Sequence, residues 1–495
     1  MTERLAPRAG RALLWQASEL VGVKGIFILR LLILAIILGP DDFGLFAISV
    51  VSVNFLMSLS DPGMLQALVQ RAETRDTHFH AAWTVGMSRA LAICLVVVLA
   101  APLISSMFAE PRATDLIRVL ALRPVIDASA SMRLVALVRD LRFRSLAVIR
   151  WTEALVTALV SIALAVTMGV WALAIGPLCG SLVRSGLSYV VAPYRPRVAW
   201  QRRILGHLFA FGRWIWLCGV IALVGDFGLR MIVSRRLGTA ELGLYFLAAS
   251  LGFLPSEIAS KAVGQVAFPV YSRLQHEAGR ARLAFGSVFA GTALVVLPAS
   301  ALLAALAPRL VGDLLGARWE GSVPLIQILA LVNILGLLGD AVGPLLQGVG
   351  RPDRLVHTRT VLTVSLLVLL WPMIDVFGLV GAATAWVPAV LATQMLAFTY
   401  LRRTLQHPPE ALARRILAML AGTAAATGVA VVSASLLQGP IGLGVAAILA
   451  LLTYAAAIWW MDRRFRLELA REASRVFPGI GVVANLLPGG SGGDS

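Results

Sequence analysis

The sequence predicts an all-α polytopic membrane protein of about 14 transmembrane helices, built as two pseudo-symmetric six-helix lobes followed by two further helices. Three observations carry this. Hydrophobic residues make up 59% of the 495-residue chain and charged residues only 14%, with a mean hydropathy of +0.84. A soluble domain carries about 25% charged residues, so this chain cannot clothe a normal water-facing surface. Apolar stretches of about 20 residues, the length that crosses a bilayer at 1.5 Å per residue, recur along it. Finally, Leu38-Gly39-Pro40-Asp41-Asp42-Phe43-Gly44-Leu45-Phe46 returns as Leu237-Gly238-Thr239-Ala240-Glu241-Leu242-Gly243-Leu244-Tyr245, and Trp15 with Trp214 and Gln66 with Gln265 keep the same offset of about 199 residues.

The first segment, 12–38, is long and lacks a small-residue cleavage site, so it reads as a membrane helix and not as a signal peptide. The repeated phrase separates it from the second, 43–68. Segments 81–108, 114–138 and 143–168 follow as apolar runs of bilayer length. Gly169-Val170-Trp171-Ala172-Leu173-Ala174 leads into the sixth, 170–192, whose Gly176-Pro177-Leu178-Cys179-Gly180 suits close helix packing. Pro193 to Gly206 is a linker. The seventh and eighth segments, 207–235 and 241–268, flank the second copy of the phrase. After 283–308, 323–347 and 355–376, Gly378-Leu379-Val380-Gly381-Ala382-Ala383 leads into the twelfth, 379–401, as 169–174 leads into the sixth. The offset there is about 209, so the second half has gained some ten residues. A linker with Pro408-Pro409 precedes 413–437 and 441–461. The division is therefore 1–192, linker 193–206, 207–401, linker 402–412, 413–461 and a tail, 462–495, whose Gly/Ser-rich end is expected to be disordered.

Each half holds an even number of helices, so the repeats are parallel and related by an axis along the membrane normal. A duplicated bundle of this kind is the usual plan of a secondary transporter, with a cleft between the lobes. The net charge of +17 is not that of a nucleic-acid-binding protein, because the basic residues alternate between loops. With the N-terminus inside, roughly 24 arginines fall on inside loops, from Arg4, Arg8 and Arg11 to Arg463, Arg464 and Arg466. Only Arg112, Arg235, Arg236, Arg309 and Arg318 fall outside. The positive-inside rule then places both termini in the cytoplasm. Cys94, Cys179 and Cys218 lie in apolar stretches with no metal or disulfide spacing. His78 and His80 read as loop residues, and the tryptophans near helix ends as interfacial anchors.

The opening phrase, Asp61-Pro62-Gly63, Ala67-Leu68-Val69-Gln70-Arg71, Arg139-Asp140-Leu141-Arg142-Phe143-Arg144 and Gly343 to Pro352 together resemble the polysaccharide transporter family. These are Wzx-type flippases, here similar to the colanic-acid-exporter branch, of the multidrug/oligosaccharidyl-lipid/polysaccharide exporter superfamily. The resemblance spans about residues 10–460. It implies that an undecaprenyl-diphosphate-linked oligosaccharide repeat unit is flipped to the periplasmic leaflet by alternating access, without ATP. It also implies a role in O-antigen or exopolysaccharide synthesis, beside the pathway's polysaccharide polymerase and glycosyltransferases. The chain has no Gly-x-x-x-x-Gly-Lys-Ser/Thr phosphate loop. Members often carry an acid nine residues before the second Leu-Gly glycine; Leu229 stands there, and the acid is Asp226.

Ionisable groups at membrane depth cost about 2.5–3.5 kcal/mol on insertion scales and mark partners or wet cavities. Arg123 with Asp127, Arg150 with Glu153, Asp226 with Arg230 and Glu257 with Lys261 are spaced to pair along one helix face. Arg89, Arg133 and Arg184 lie near the cytoplasmic end and are expected to snorkel. Lys24 sits deep in the first segment between Gly22 and Gly25, with Arg30 on the same helix. The cations expected to face the lipid diphosphate are Lys24, Arg30, Arg123, Arg230 and Lys261. Asp127, Glu153, Asp226 and Asp340 are the candidates for proton or sodium coupling, with structural counter-ions as the alternative role; no cofactor is expected. Two other functions would make different demands on the chain. A drug or organic-cation exporter of the same superfamily calls for an acidic, aromatic cavity. An enzyme acting on the same lipid calls for a sizeable outside loop, and the longest here is about Arg309 to Ser322.

Overall fold

The computed structural model describes residues 5–59, 76–139, 142–199, 202–275, 277–405, 412–437 and 439–465. Asp61-Pro62-Gly63, the run Ala67 to Arg71, Pro408-Pro409 and the tail beyond 465 lie outside the described residues. Every regular element among the described residues is a helix. That follows from the composition: in hydrocarbon each backbone N–H and C=O has to find its partner inside the protein, and a helix supplies it locally. Side-chain hydroxyls follow the same economy. Ser49 donates to the Leu45 carbonyl, Ser52 to that of Ile48 and Thr292 to that of Val288, each one turn back.

The chain forms two compact units, Met1–Phe246 and Leu247–Ser495. The first holds α1 (Leu5–Ile37), α2 (Pro40–Leu59), α3 (Asp76–Met107), the short α4 (Ala113–Leu120), α5 (Arg123–Ala128) and α6 (Leu134–Arg139), then α7 (Phe143–Met168), α8 (Trp171–Val191), α9 (Arg202–Leu237) and the start of α10 (Thr239–Gly252). α7 packs along α8 and α1, α5 lies against α3 and α8, and α9 runs along α2. That last contact places α9 in the first unit.

The second unit holds α11 (Leu254–Arg273), α12 (Ala278–Arg309) running into a π turn over Leu310–Leu315, α13 (Ser322–Gly348), α14 (Pro352–Thr384), α15 (Trp386–Leu405), α16 (Leu412–Leu436) and α17 (Gly439–Phe465). α13 packs on α11, α12 and α15 around Tyr271, Phe285, Val296 and Leu345. The last two helices meet through alanines, Ala426 and Ala430 with Ala446 and Ala450, and rest on Leu302 and Leu306 of α12. Small residues let two helices approach closely where no water is present to drive them together.

Among the described residues, eleven helices are long and apolar enough to cross a membrane, or twelve if α10 and the start of α11, which meet at 44°, form one bent span. The expected 14 are not reproduced by this measure. Segment 114–138 is broken into α4, α5 and α6. Arg118, Arg123, Pro124, Asp127 and Arg133 interrupt its apolar face, and α8 supplies polar partners at the break after α5. The Ser131 N–H donates to Ser188 Oγ (2.8 Å), the Ser131 hydroxyl to the Ala192 carbonyl (2.7 Å) and the Tyr189 hydroxyl to the Ser129 carbonyl (2.7 Å). Irregular backbone at membrane depth is tolerated where protein satisfies it in this way. The other missing span is α15, where Gln394, Arg402 and Arg403 lower the hydropathy of a 20-residue helix.

The internal repeat is visible in the backbone of each unit. Gly169 ends α7 at φ 55°, ψ −129°, and Gly378 breaks α14 at φ 58°, ψ −136°. Both lie in the left-handed half of the map, open to glycine without strain. The repeated phrase does more than recur: its two copies touch. A Cβ on Gly44 would overlap the Thr239 carbonyl oxygen, and a Cβ on Gly243 would overlap that of Pro40. Pro40 and Thr239 are repeat equivalents, as are Gly44 and Gly243, so the contact is reciprocal. Phe46 and Phe43 close around Phe246 at 5.9 and 6.3 Å between ring centroids. Gly176 and Gly180 likewise admit Ser161 and Thr157 of α7, the close packing expected of that run.

Beside this contact lies an ion-pair cluster. Arg112 bonds Glu110 through Nε (2.7 Å) and Nη2 (2.9 Å) and reaches Asp41 through Nη1 (2.8 Å), while the Thr239 hydroxyl donates to Glu110 (2.6 Å). The hydrogen bond from Arg112, with that from Thr239, holds the Glu110 carboxyl below its usual range, and Glu110 and Asp41 in turn keep Arg112 charged. His80, expected as a loop residue, lies in α3, with Nδ1 2.9 Å from the Tyr194 hydroxyl and its ring stacked on that tyrosine. The side chain of His78 lies outside the described residues.

Two tests follow. Gly44→Ala and Gly243→Ala should each destabilise the protein by about 1–3 kcal/mol, the usual cost of overpacking, whereas Gly25→Ala, which meets nothing within 4 Å, should be tolerated; thermal unfolding in detergent measures all three. Because the folded-state pKa of Glu110 is depressed, its stabilising effect is complete above the ordinary carboxylate range and lost as pH falls through the folded pKa. Arg112→Gln should therefore lower Tm at pH 7, and its difference from the parent protein should shrink once the pH drops below about 4. An equal difference at both pH values would exclude the ion pair as its source.

Candidate functional site

α1 brings Lys24 and Arg30 to either side of Phe27, with Lys24 Nζ 5.3 Å and Arg30 Cζ 5.8 Å from the ring centroid. Both distances fall within reach of a cation–π attraction. Arg30 is 7% exposed, and its Nε and Nη1 have no hydrogen-bond partner among the described residues. Its charged neighbour is Arg123, a like charge on α5. A buried arginine facing a second arginine, with two guanidinium nitrogens unsatisfied, is a costly arrangement unless something anionic shares the space.

The acids close by are already engaged. Asp127 is 3.1 Å from Arg184 Nη2 and 3.8 Å from Arg123 Nε, and Glu153 lies 3.9 Å from Arg184 Nε. α5, α7 and α8 thus carry a chain of alternating charge, Arg123–Asp127–Arg184–Glu153, with Arg30 next to its first member. The four helices meet because α1 packs on α7, α7 on α8 and α8 on α5.

Two expectations are corrected here. Arg184, expected to snorkel toward the cytoplasm, turns inward to Asp127 and Glu153. Arg150 does not pair with Glu153; it approaches Glu19 of α1 at 4.0 Å, because α1 lies along α7 and offers a carboxylate of its own. Arg133 does reach an end of the structure, donating to the Pro193 carbonyl at 3.3 Å. The importance of Arg184 was not readable from spacing, since both of its partners come from other helices.

The remaining candidates fall elsewhere. Arg230, on α9, bonds Asp226 (2.9 Å) and lies 5.5 Å from the Phe246 ring centroid. Lys261 bonds Glu257 at 2.7 Å in the second unit, with half its side chain exposed. Both pairs match their expected spacing. Asp340 lies in the second unit and accepts a hydrogen bond from Ser260, with the Arg359 guanidinium close enough to act on its charge. Arg359 had no sequence signal: it lies on α14, one helix away.

The lipid II flippase MurJ in an inward closed conformation aligns with a TM-score of 0.71 at 14% identity, over 91% of this chain and 99% of that one. An inward-facing multidrug resistance MATE family transporter of the MOP superfamily aligns with a TM-score of 0.62 at 16% identity, over 79% and 94%. Among sequence relatives, the lipopolysaccharide biosynthesis protein WzxC of Escherichia coli (strain K12) is 23% identical over 345 residues, 68% of this chain and 70% of that protein. The succinoglycan biosynthesis transport protein ExoT of Rhizobium meliloti (strain 1021) is 28% identical over 342 residues, 68% of each. Many apolar helices in this arrangement make the chain a multi-pass membrane protein. The family model described as polysaccharide biosynthesis protein matches residues 33–324, more than half of the sequence, and the chain belongs to that family.

Proposed function

We propose that the protein is a flippase for an undecaprenyl-diphosphate-linked oligosaccharide, moving it from the cytoplasmic to the periplasmic leaflet of the bacterial inner membrane for surface-polysaccharide synthesis. It works as a transporter by alternating access, not as an enzyme, and both termini lie in the cytoplasm. The observation that carries this reading is Arg30: a buried guanidinium with unsatisfied nitrogens beside a second cation. A lipid diphosphate brings about two negative charges into the same low-dielectric space, where charge-assisted hydrogen bonds to arginine are strong. Lys24 and Arg123 extend the positive surface on either side. An organic-cation exporter would need the opposite sign here.

Proton or sodium coupling fits the same geometry. Asp127 and Glu153 hold Arg184 between them. A proton or sodium ion taken up by either acid weakens its hold on that arginine and leaves the guanidinium to the diphosphate. Asp226 with Arg230, and Asp340 with Arg359, offer the same competition. No cofactor enters. The polymerase and glycosyltransferases of the pathway supply and consume the cargo.

Three outcomes test this. Arg30→Met removes a buried charge, so thermal stability should hold or rise by about 1–4 kcal/mol, while flipping of a lipid-linked oligosaccharide in proteoliposomes is lost. Normal flipping by this variant would take Arg30 out of the site. Lys24→Gln should lower polysaccharide export at matched expression, and Lys24→Arg should retain more of it. For topology, a reporter fused after Arg466 should behave as cytoplasmic and one inserted near Gly312 as periplasmic; a periplasmic reading for the first would refute the orientation.

A further inference from the structure

The second unit contains a cavity of about 320 Å³, bounded by α11, α13, α14 and α15, that the cations of the first unit do not touch on. Its lining is unusual for an apolar protein. Asn333, Asp340, Thr358, Arg359 and Gln394 all face it, and Trp386 forms part of its wall. Polar groups at this depth are expensive unless they have partners. Some are partnered: Gln394 Nε2 donates to the Leu335 carbonyl at 2.8 Å, Asn333 Nδ2 to the Gly252 carbonyl, and Asp340 is paired with Ser260 and faces Arg359. Gln394 Oε1 is buried with no hydrogen-bond partner among the described residues.

Part of the cavity wall is glycine backbone. Gly336, Gly339 and Gly343 lie on its α13 side, and the Gln394 amide lies across the first two, 3.2 Å from where a Cβ on Gly339 would stand. Phe253 packs edge-on against Trp386, with centroids 5.0 Å apart, and fixes that ring in the wall. Asp340 and Arg359 offset each other, so the lining has no surplus charge to select an ion. What is left is a set of carboxamide, hydroxyl, carboxylate and guanidinium groups offering donors and acceptors together, with one large aromatic surface. That combination suits a neutral polyol whose ring has an apolar face and a rim of hydroxyls. At the small end of ligand pockets, which run from about 300 to 1,000 Å³, the cavity has room for a sugar ring and not for a whole repeat unit.

We propose that this cavity is a sugar subsite: it takes one pyranose ring of the cargo, with Trp386 against the ring face and Gln394, Asn333 and Asp340 on its hydroxyls. The inference rests on the flippase reading and deepens it. The first unit holds the charged diphosphate, and the second reads the neutral sugar.

The test uses the full chain in detergent and two separate probes. Free glucose, galactose and N-acetylglucosamine report on the cavity by saturation-transfer NMR; farnesyl diphosphate, which has no sugar, reports on the cations. At least one of the three sugars should give a transfer signal, reduced fivefold or more in Gln394→Met and in Trp386→Leu. Both variants should still bind farnesyl diphosphate like the parent protein, which also shows that they are folded. Arg30→Met should lose farnesyl diphosphate and keep the sugar signal. If the parent protein binds farnesyl diphosphate but none of the three sugars, or if the sugar signal survives unchanged in both cavity variants, the subsite is refuted and the flippase reading stands. A sodium-dependent change in tryptophan fluorescence that Trp386→Leu abolishes, without any sugar signal, would make the cavity a cation site and also overturn the proposal. If sugar binds and is lost in variants that keep the parent protein's Tm, while farnesyl diphosphate does not bind at all, the subsite is upheld and the role given to the cations falls.

Discussion

The structure is governed by the cost of a polar group that cannot reach water. A chain with 14% charged residues has few such groups, and many of them find a partner on their own helix or on a neighbouring one. Backbone groups are paired within helices, and hydroxyls fold back onto their own turn. Where segment 114–138 fails to stay helical, α8 brings Ser185, Ser188, Tyr189 and the Ala192 carbonyl to the break. The arginines obey the same rule: Arg184 spans two carboxylates on two helices, and Arg230 takes Asp226 and the face of Phe246. Against that background Arg30, buried beside a like charge with both Nε and Nη1 unpartnered, departs from the rule, and a departure from a costly rule is where function is expected.

The two units treat polarity differently. In the first, charge is concentrated and positive charge outweighs negative around Phe27, Arg30 and Arg123. In the second, the cavity beside Asp340 is polar but balanced, and rich in groups that both donate and accept. A cargo with a charged lipid end and a neutral sugar end presents the same contrast. Coulomb attraction in a low dielectric is strong and reads little beyond charge, whereas directed hydrogen bonds are weaker and read shape.

Much of the fold was legible in the sequence because hydrophobic length and internal repetition are local signals. The Gly169 and Gly378 runs, found by pattern alone, mark breaks with nearly the same φ and ψ. The four-residue spacings of Asp226 with Arg230 and Glu257 with Lys261 became real ion pairs, since one helix fixes both partners. Failures came where a partner sits on another helix. Arg150 took Glu19, Arg184 took Asp127 and Glu153, and Asp340 gained Arg359. Segment 114–138 was apolar enough to suggest one span, but whether its break could be satisfied depended on α8, which no window over that segment contains. The cavity around Gln394 was invisible for the same reason: α11, α13, α14 and α15 each contribute one side of it.

The reciprocal seating of Gly44 on Thr239 and Gly243 on Pro40 bears on how such a chain ages after a duplication. Two copies of a gene segment are free to drift apart wherever they contact only lipid or their own surroundings. At this one place each copy is the mould for the other. A side chain added to either glycine strikes backbone, which no change in a neighbouring side chain can move aside, so drift in one copy is not rescued by drift in its twin. The glycines that the two copies of the phrase still share at 44 and 243 are therefore kept in step by interlocking, and a trace of the chain's ancestry survives at the spot where its two descendants hold each other.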